Sequence, residues 1–195
     1  MDFSNENKFT TKFQLCRDVL AGDLEYDPAK LRNLRKTIPA GTISVTNGVF
    51  DLVHCGHLQT LMHTKQEGDV NVVALNTDAT VRNTKGATRP IHPLETRARF
   101  IAMLPWVDFV VGFSELTPVE LYRELEPDVF VKGEEYKTMP MPERVLVESN
   151  QSARISFTPT LSGFSTTKTI ETIKRKNDNN GIPTHRRTAS QNVGP

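Results

Sequence analysis

From Thr42 to Lys176, short β-rich runs alternate with helix-like runs. This rhythm restricts the possible folds more than any other feature of the chain. The strand-like runs are TISVTNG, VNVVALN, DFVVGF, DVFVKG and ARISFTP. Between and after them come HLQTLMHTKQEG, PLETRARFIAML, TPVELYRELE, MPERVLVESN and STTKTIETIKRK. Such alternation predicts an α/β domain: a doubly wound, mainly parallel five-stranded sheet with helices on both faces. Thr117-Pro118 and Ser165 carry helix-cap signals. In sheets of this kind ligands gather beyond the carboxyl ends of the strands, where the strand order reverses. The residues that follow each strand are therefore where function is sought.

Two flanking segments differ in character. Residues 1–41 read as a helical N-terminal extension: FQLCRDVLAG has helical spacing and a glycine stop, and Asp27-Pro28 opens a second helical run before Pro39-Ala40-Gly41. From Asn177 onward, NDNNGIPTHRRTASQNVGP offers almost nothing to bury and reads as a disordered tail, 177–195. These flanks explain a hydrophobic content of only 37%. The domain proper is expected at 42–176.

Composition excludes several classes. A formal net charge of +1 does not suit a strongly basic nucleic-acid binder. No apolar run approaches the roughly 20 residues of a membrane span, and the first residues hold no apolar signal core, so a cytoplasmic location is expected. Cys16 and Cys55 form neither a disulfide framework nor a metal-ligand spacing.

The chemistry concentrates after the first strand, in Thr46-Asn47-Gly48-Val49-Phe50-Asp51-Leu52-Val53-His54-Cys55-Gly56-His57. Two histidines three residues apart sit where strand gives way to helix. Free amides at a helix N-terminus favour an anion there, and Gly48 and Gly56 allow backbone to approach a ligand. Together these features make a plausible phosphate cradle. Zinc is the competing reading of His-x-x-His, but His63, His92 and Cys55 do not supply further ligands at a suitable spacing.

GVFDLVHCGH resembles the HxGH signature of the nucleotidyltransferases, which join a nucleoside triphosphate to a phosphorylated small molecule and release pyrophosphate. Gly163-Phe164-Ser165-Thr166-Thr167 resembles the GxSTT element that opens the last helix of that superfamily. NTDATVRNTKGATRPIHPLETR, VDFVVGFSELTP and PDVFVKGEEY are similar to the bacterial D-glycero-β-D-manno-heptose 1-phosphate adenylyltransferases. The resemblance spans about residues 42–174 and implies a Rossmann-like fold. It also implies ATP and a phosphorylated sugar as substrates, Mg²⁺ carried on the nucleotide phosphates rather than by the protein, and a homodimer. In many bacteria this domain is fused to a sugar kinase, and the chain is expected to work without one.

By the same resemblance His54 and His57 would bind the triphosphate and stabilise charge on the α-phosphate. Lys85 would contact phosphate oxygens. Ser165, Thr166 and Thr167 would hold phosphates through hydroxyls and amides. Gly48, Val49 and Phe50 would line the nucleotide pocket with backbone, and Lys132 and Gly133 would lie near the nucleotide. Asp51, Asp78 and Arg89 fall where either a substrate contact or a loop-fixing role fits. Arg97 reads as an ion pair or helix cap, Asp108 as a loop-fixing residue, and Trp106 as core or near-core.

The pattern departs from the family at three places. Lys132-Gly133-Glu134-Glu135-Tyr136 stands where the heptose family has KGGDY. Thr160-Leu161-Ser162-Gly163 lacks the arginine of the cytidylyltransferase RTxG, which favours adenylyl over cytidylyl transfer. The N-terminal extension is longer than the usual lead-in. A cytidylyltransferase acting on a phosphorylated alcohol such as glycerol 3-phosphate, and a non-catalytic nucleotide-binding protein, are the alternatives.

Overall fold

The computed structural model describes residues 35–36, 41–150 and 152–179. The expected N-terminal extension lies outside them except at Arg35, Lys36 and Gly41, as does the tail beyond Asn179. Five strands are ordered β3-β2-β1-β4-β5: β1 (Ile43–Gly48), β2 (Val70–Asn76), β3 (Phe109–Phe113), β4 (Val129–Gly133) and β5 (Arg154–Thr158). Every neighbouring pair is parallel. The helices are α1 (Cys55–Gln66), α2 (Asp78–Lys85), α3 (Leu94–Ala102), α4 (Val119–Leu125), α5 (Arg144–Ser149) and α6 (Thr166–Asn179), and a 3-10 turn covers Glu134–Lys137. Among the described residues no helix is long and apolar enough to cross a membrane.

The sheet is covered on both faces, as its sequence demands. In β2, Val72 and Ala74 join Ile43, Val45, Leu121, Leu125 and Phe130 in one core. Val73 and Leu75, one residue out of phase, join Leu61, Ala98 and Ile101 in the other. Period-two alternation with apolar residues on both phases is the mark of a strand buried on both sides. The strand order reverses between β1 and β4, so a crevice opens beyond Gly48 and Gly133.

At the opposite end two half-buried carboxylates pin the loops. Asp108 accepts from Lys65 Nζ at 2.6 Å and from the Asn71 amide at 2.9 Å, which fixes the loop before β3. Arg35 makes a two-pronged contact with Asp128, at 2.9 and 3.3 Å, and Asp128 also accepts the Ile43 amide at 2.7 Å. The lead-in is thereby tied to the start of β1.

Three local features differ from the sequence reading. α2 is a helix in a stretch without a clear apolar stripe; only Thr80 and Val81 on it are buried. α4 begins at Val119 with Pro118 at the cap position and no side-chain cap, so Thr117 does not serve as one. α6 reaches Asn179, inside the stretch read as tail.

Leu61 is fully buried between α1 and the sheet. Leu61→Ala should lower the unfolding free energy by about 2–5 kcal/mol, read by urea denaturation. A loss below about 1 kcal/mol, the scale of an uncritical surface change, would contradict this packing.

Candidate active site

The crevice is walled first by the turn after β1. Phe50 takes a left-handed backbone, φ 47°, at a cost of order 1–2 kcal/mol for a non-glycine residue. Burial of its ring against Leu61, Val73 and Leu75 offsets that cost. The ring also lies 5.0 Å from that of His57. Gly48 is required beneath it, because a Cβ there would meet the ring at 3.0 Å.

His54 is the N-cap of α1, in extended backbone, and its carbonyl accepts the Leu58 amide at 3.1 Å. The rings of His54 and His57 stack, with centroids 3.8 Å apart and planes 14° from parallel. Both Nδ1 atoms are buried without a hydrogen-bond partner among the described residues. Burial holds His54 below the usual histidine range. Burial, then the neighbouring His54, pushes His57 down to about 4, against an opposing hydrogen bond to the Leu52 carbonyl. At neutral pH the pair is uncharged, so it can donate ring N–H groups to an anion but does not present two cations.

The second motif arrives from the far end of the domain. Thr166 Oγ1 donates to the Leu52 carbonyl at 3.3 Å, and the Phe164 ring lies 6.5 Å from His54. The N-terminus of α6 therefore stands beside that of α1, two sets of free amides at one corner. Ser165 and Thr166 are half-buried there and Thr167 is exposed.

A buried framework fixes these loops. Arg97 is completely buried. It donates to the carbonyls of Val49 (2.7 Å), Asn76 (2.8 Å) and His92 (3.0 Å) and to Asp78 Oδ1 (2.7 Å). Asp51 is its counterpart, accepting from the Ile91 and His92 amides and from Arg89 Nε at 2.7 Å. Burial raises the Asp51 pKa, but the His92 and Ile91 amides and Arg89 together outweigh it and hold the carboxyl below its ordinary value. Asp51, Asp78 Oδ1 and Arg89 Nε thus help fix the loops, around a cis Arg89-Pro90 bond.

Lys132 does not project into the crevice. Its ammonium turns inward to Asn47 Oδ1 at 2.5 Å and Glu143 Oε1 at 2.6 Å, and Tyr122 donates to the same Asn47 oxygen at 3.3 Å. Burial lowers the Lys132 pKa, while Glu143 opposes the shift. β4 ends at the crevice in Gly133, over which the Glu135 carboxylate folds closely. Glu134 opens the 3-10 turn and pairs with Lys137 at 2.7 Å; its backbone has no positive φ, so the family's glycine is not needed there. Lys85 stands exposed at the end of α2, with no hydrogen bond or ion pair to the histidines among the described residues.

Tyr122 and Glu143 escaped the sequence reading, and nothing in their local pattern marks them; Asn47 stood in the motif segment without a role. Arg97 did leave a signal. It falls on the stripe Leu94, Ala98, Ile101, so helical spacing alone places a charge on the buried face.

Two expectations follow. Arg97→Ala removes one partner of a buried pair and should cost about 3–5 kcal/mol in urea unfolding, with Arg97→Lys recovering little of it, because an ammonium cannot span four acceptors. A change within 1 kcal/mol of wild type would contradict the framework. The second concerns pH. Between 6.5 and about 4 the unfolded chain protonates His57 while the folded chain does not. Stability should therefore fall as pH drops through that window, and His57→Gln should flatten that part of the slope. Superimposable pH–stability curves would contradict the burial of the ring.

Comparison with known proteins agrees with this geometry. The cytidylyltransferase-like family matches residues 45–186. The bifunctional protein HldE of Campylobacter jejuni strain RM1221 is 46% identical over 134 residues, 69% of this chain and 28% of the relative. The HldE protein of Syntrophotalea carbinolica is 40% identical over 77% of this chain and 32% of the relative. The chain thus spans about a third or less of these relatives. A lipopolysaccharide core biosynthesis protein from Thermoplasma volcanium superimposes with a TM-score of 0.51 at 25% identity, over 63% of this chain and 98% of that one. The fold is also that of a pantoate-beta-alanine ligase from Francisella tularensis, with a TM-score of 0.52 at 16% identity, over 78% and 76% of the two chains. The parallel five-stranded sheet, the stacked HxGH pair and the family match across most of the domain place this chain in the cytidylyltransferase-like family.

Proposed function

We propose that this chain is a nucleotidyltransferase that joins ATP to a sugar 1-phosphate of the heptose type, giving an ADP-sugar and pyrophosphate. The observation that carries the reading is the meeting of two distant motifs at one corner, through the Thr166–Leu52 hydrogen bond and the approach of Phe164 to His54. Similarity to the HldE proteins supports the sugar phosphate and the adenylyl donor. The resemblance of about residues 42–174 to the heptose 1-phosphate adenylyltransferases is what supports a homodimer, with a cytoplasmic location as part of the same reading.

The reaction needs no protein nucleophile. The sugar phosphate oxygen attacks the α-phosphorus in line and pyrophosphate leaves. The protein must hold two anions together and stabilise charge that develops on the α-phosphate and the leaving group. First-turn amides of α1 and α6 cradle phosphate oxygens, and the hydroxyls of Ser165, Thr166 and Thr167 add donors. His54 and His57 donate ring N–H groups where the negative charge grows. Lys85, long and exposed, closes on the phosphates from the rim. Gly48, Val49, Phe50 and Gly133 present backbone to the nucleoside, and Lys132 holds the β1 and β4 ends in register through Asn47.

Among the described residues no group of three metal-ligating side chains could hold an ion. Asp51 and Asp78, the nearby carboxylates, are engaged by Arg89 and Arg97. This donor set fits Mg²⁺ that rides on the nucleotide, where it neutralises phosphate charge.

Pyrophosphate release, screened with ATP and CTP against several sugar 1-phosphates and glycerol 3-phosphate, tests the proposal. Turnover is expected with ATP and a heptose-type 1-phosphate, and His57→Ala should lower kcat/KM by about 10²–10³. Preference for CTP with glycerol 3-phosphate would replace the adenylyl reading. Full activity in His57→Ala would remove the histidine from the chemistry.

A further inference from the structure

Asn47 is the penultimate residue of β1, and the two ends of its side-chain amide have different surroundings. Oδ1 accepts from Lys132 Nζ at 2.5 Å and from the Tyr122 hydroxyl at 3.3 Å. Two donors on one atom decide which end of the amide is oxygen. Glu143 locks the arrangement from beneath by taking the Lys132 ammonium at 2.6 Å, and both Tyr122 and Glu143 are buried. Nδ2 makes no hydrogen bond among the described residues, yet it is not one of their buried orphaned polar atoms. Asn47 is half-buried, so this donor end reaches solvent.

The fold decides which solvent that is. β1 is the central strand. The core of Ile43, Val45 and Phe130 lies under one face, and α1 covers the other, where Ser44 donates to the Thr64 carbonyl. A solvent-open group at the carboxyl end of β1 therefore opens on the crevice. Alternation puts Asn47 on the face of Ile43 and Val45, in step with Phe130 and Lys132 of β4. α1, which carries the two histidines, stands on the other face.

In-line transfer needs such a division. The attacking oxygen and the departing pyrophosphate take opposite sides of the α-phosphorus. With the triphosphate held by α1, the attacking phosphate comes from the Asn47 side. An ionised phosphate oxygen only accepts hydrogen bonds, and Nδ2 only donates them. A neutral donor also suits a nucleophile. A charged donor binds an anion about twice as strongly and draws harder on the electrons that must attack. Glu143 turns the ammonium of Lys132 away and leaves the amide in its place.

We infer that Asn47 is a substrate-binding residue whose Nδ2 donates to a phosphate oxygen of the sugar 1-phosphate. Tyr122 and Lys132 are positioning residues that keep this donor end of the amide outward. The inference rests on the nucleotidyl-transfer reading and names the protein group that meets the attacking phosphate.

Asn47→Asp separates this role from a structural one. The carboxylate still offers Lys132 and Tyr122 an acceptor, but it replaces the outward donor with an acceptor. Pyrophosphate release by the full chain is measured with ATP and D-glycero-β-D-manno-heptose 1-phosphate, each varied in turn. KM for the sugar phosphate should rise about tenfold to hundredfold, the loss of a hydrogen bond to a charged group. KM for ATP should stay within about twofold, and the urea midpoint should not fall. Asn47→Ser, which is too short to present a donor at the same place, serves if the aspartate variant does not fold, with the same selective rise expected. An unchanged KM for the sugar phosphate, or an equal rise in both KM values, would overturn the inference. If the wild type releases no pyrophosphate, that failure belongs to the proposed function. Calorimetric binding of the sugar phosphate then decides: binding by the wild type that weakens in Asn47→Asp supports the contact, and equal binding or none overturns it.

Discussion

One buried guanidinium holds the business end of this fold together. Loops at the carboxyl ends of parallel strands expose carbonyls that the sheet no longer pairs, and hydrophobic packing cannot satisfy them. Arg97 satisfies three of them and one carboxylate: Val49 after β1, Asn76 at the end of β2, Asp78 at the head of α2 and His92 before α3. Asp51 supplies the reverse charge, gathering the amides of Ile91 and His92 and the Arg89 side chain. The histidine motif leaves the β1 turn just beyond Asp51. Its position is therefore set by buried charge on one side and by the Phe50 ring on the other.

On the proposed function, that arrangement would let an almost neutral protein hold polyanions. Its net charge is +1, Arg97 is engaged internally through all its nitrogens, and Arg89 is held to Asp51 through Nε. Burial lowers the pKa of both histidines, that of His57 to about 4, which disfavours positive charge on the pair at neutral pH. What remains for phosphate is a set of oriented donors: two helix N-termini, ring N–H groups, three hydroxyls and the exposed Lys85. Such donors are fixed before substrate arrives and need little reorganisation, the condition under which electrostatic stabilisation is most effective.

The strands and most helices were legible in the sequence because their signals are periodic. VNVVALN reads as a doubly buried strand, and it is one. α2 was not legible, since DATVRNTK buries only two residues and is held mainly by Asp78 and by what packs above it. The candidate site was legible as motifs, HCGH and GFSTT, which the family resemblance assigned to the same phosphates; the contacts that join them, Thr166 to Leu52 and Phe164 to His54, were not, because they depend on long-range packing. Lys132 shows the opposite limit. Its position at a strand end suggested a nucleotide contact, yet Glu143, distant in sequence pattern and close in space, turns it inward. A motif fixes which residues stand at a strand end. Which way a long side chain points is decided by partners from elsewhere in the chain.

The central claim is that the two motifs form one triphosphate site, and a crystal structure with a non-hydrolysable ATP analogue tests it most directly. The account predicts the triphosphate between the first turns of α1 and α6, with phosphate oxygens on ring nitrogens of His54 or His57 and on the Ser165–Thr167 segment together. A triphosphate bound to one motif alone, or seated away from both, would contradict it.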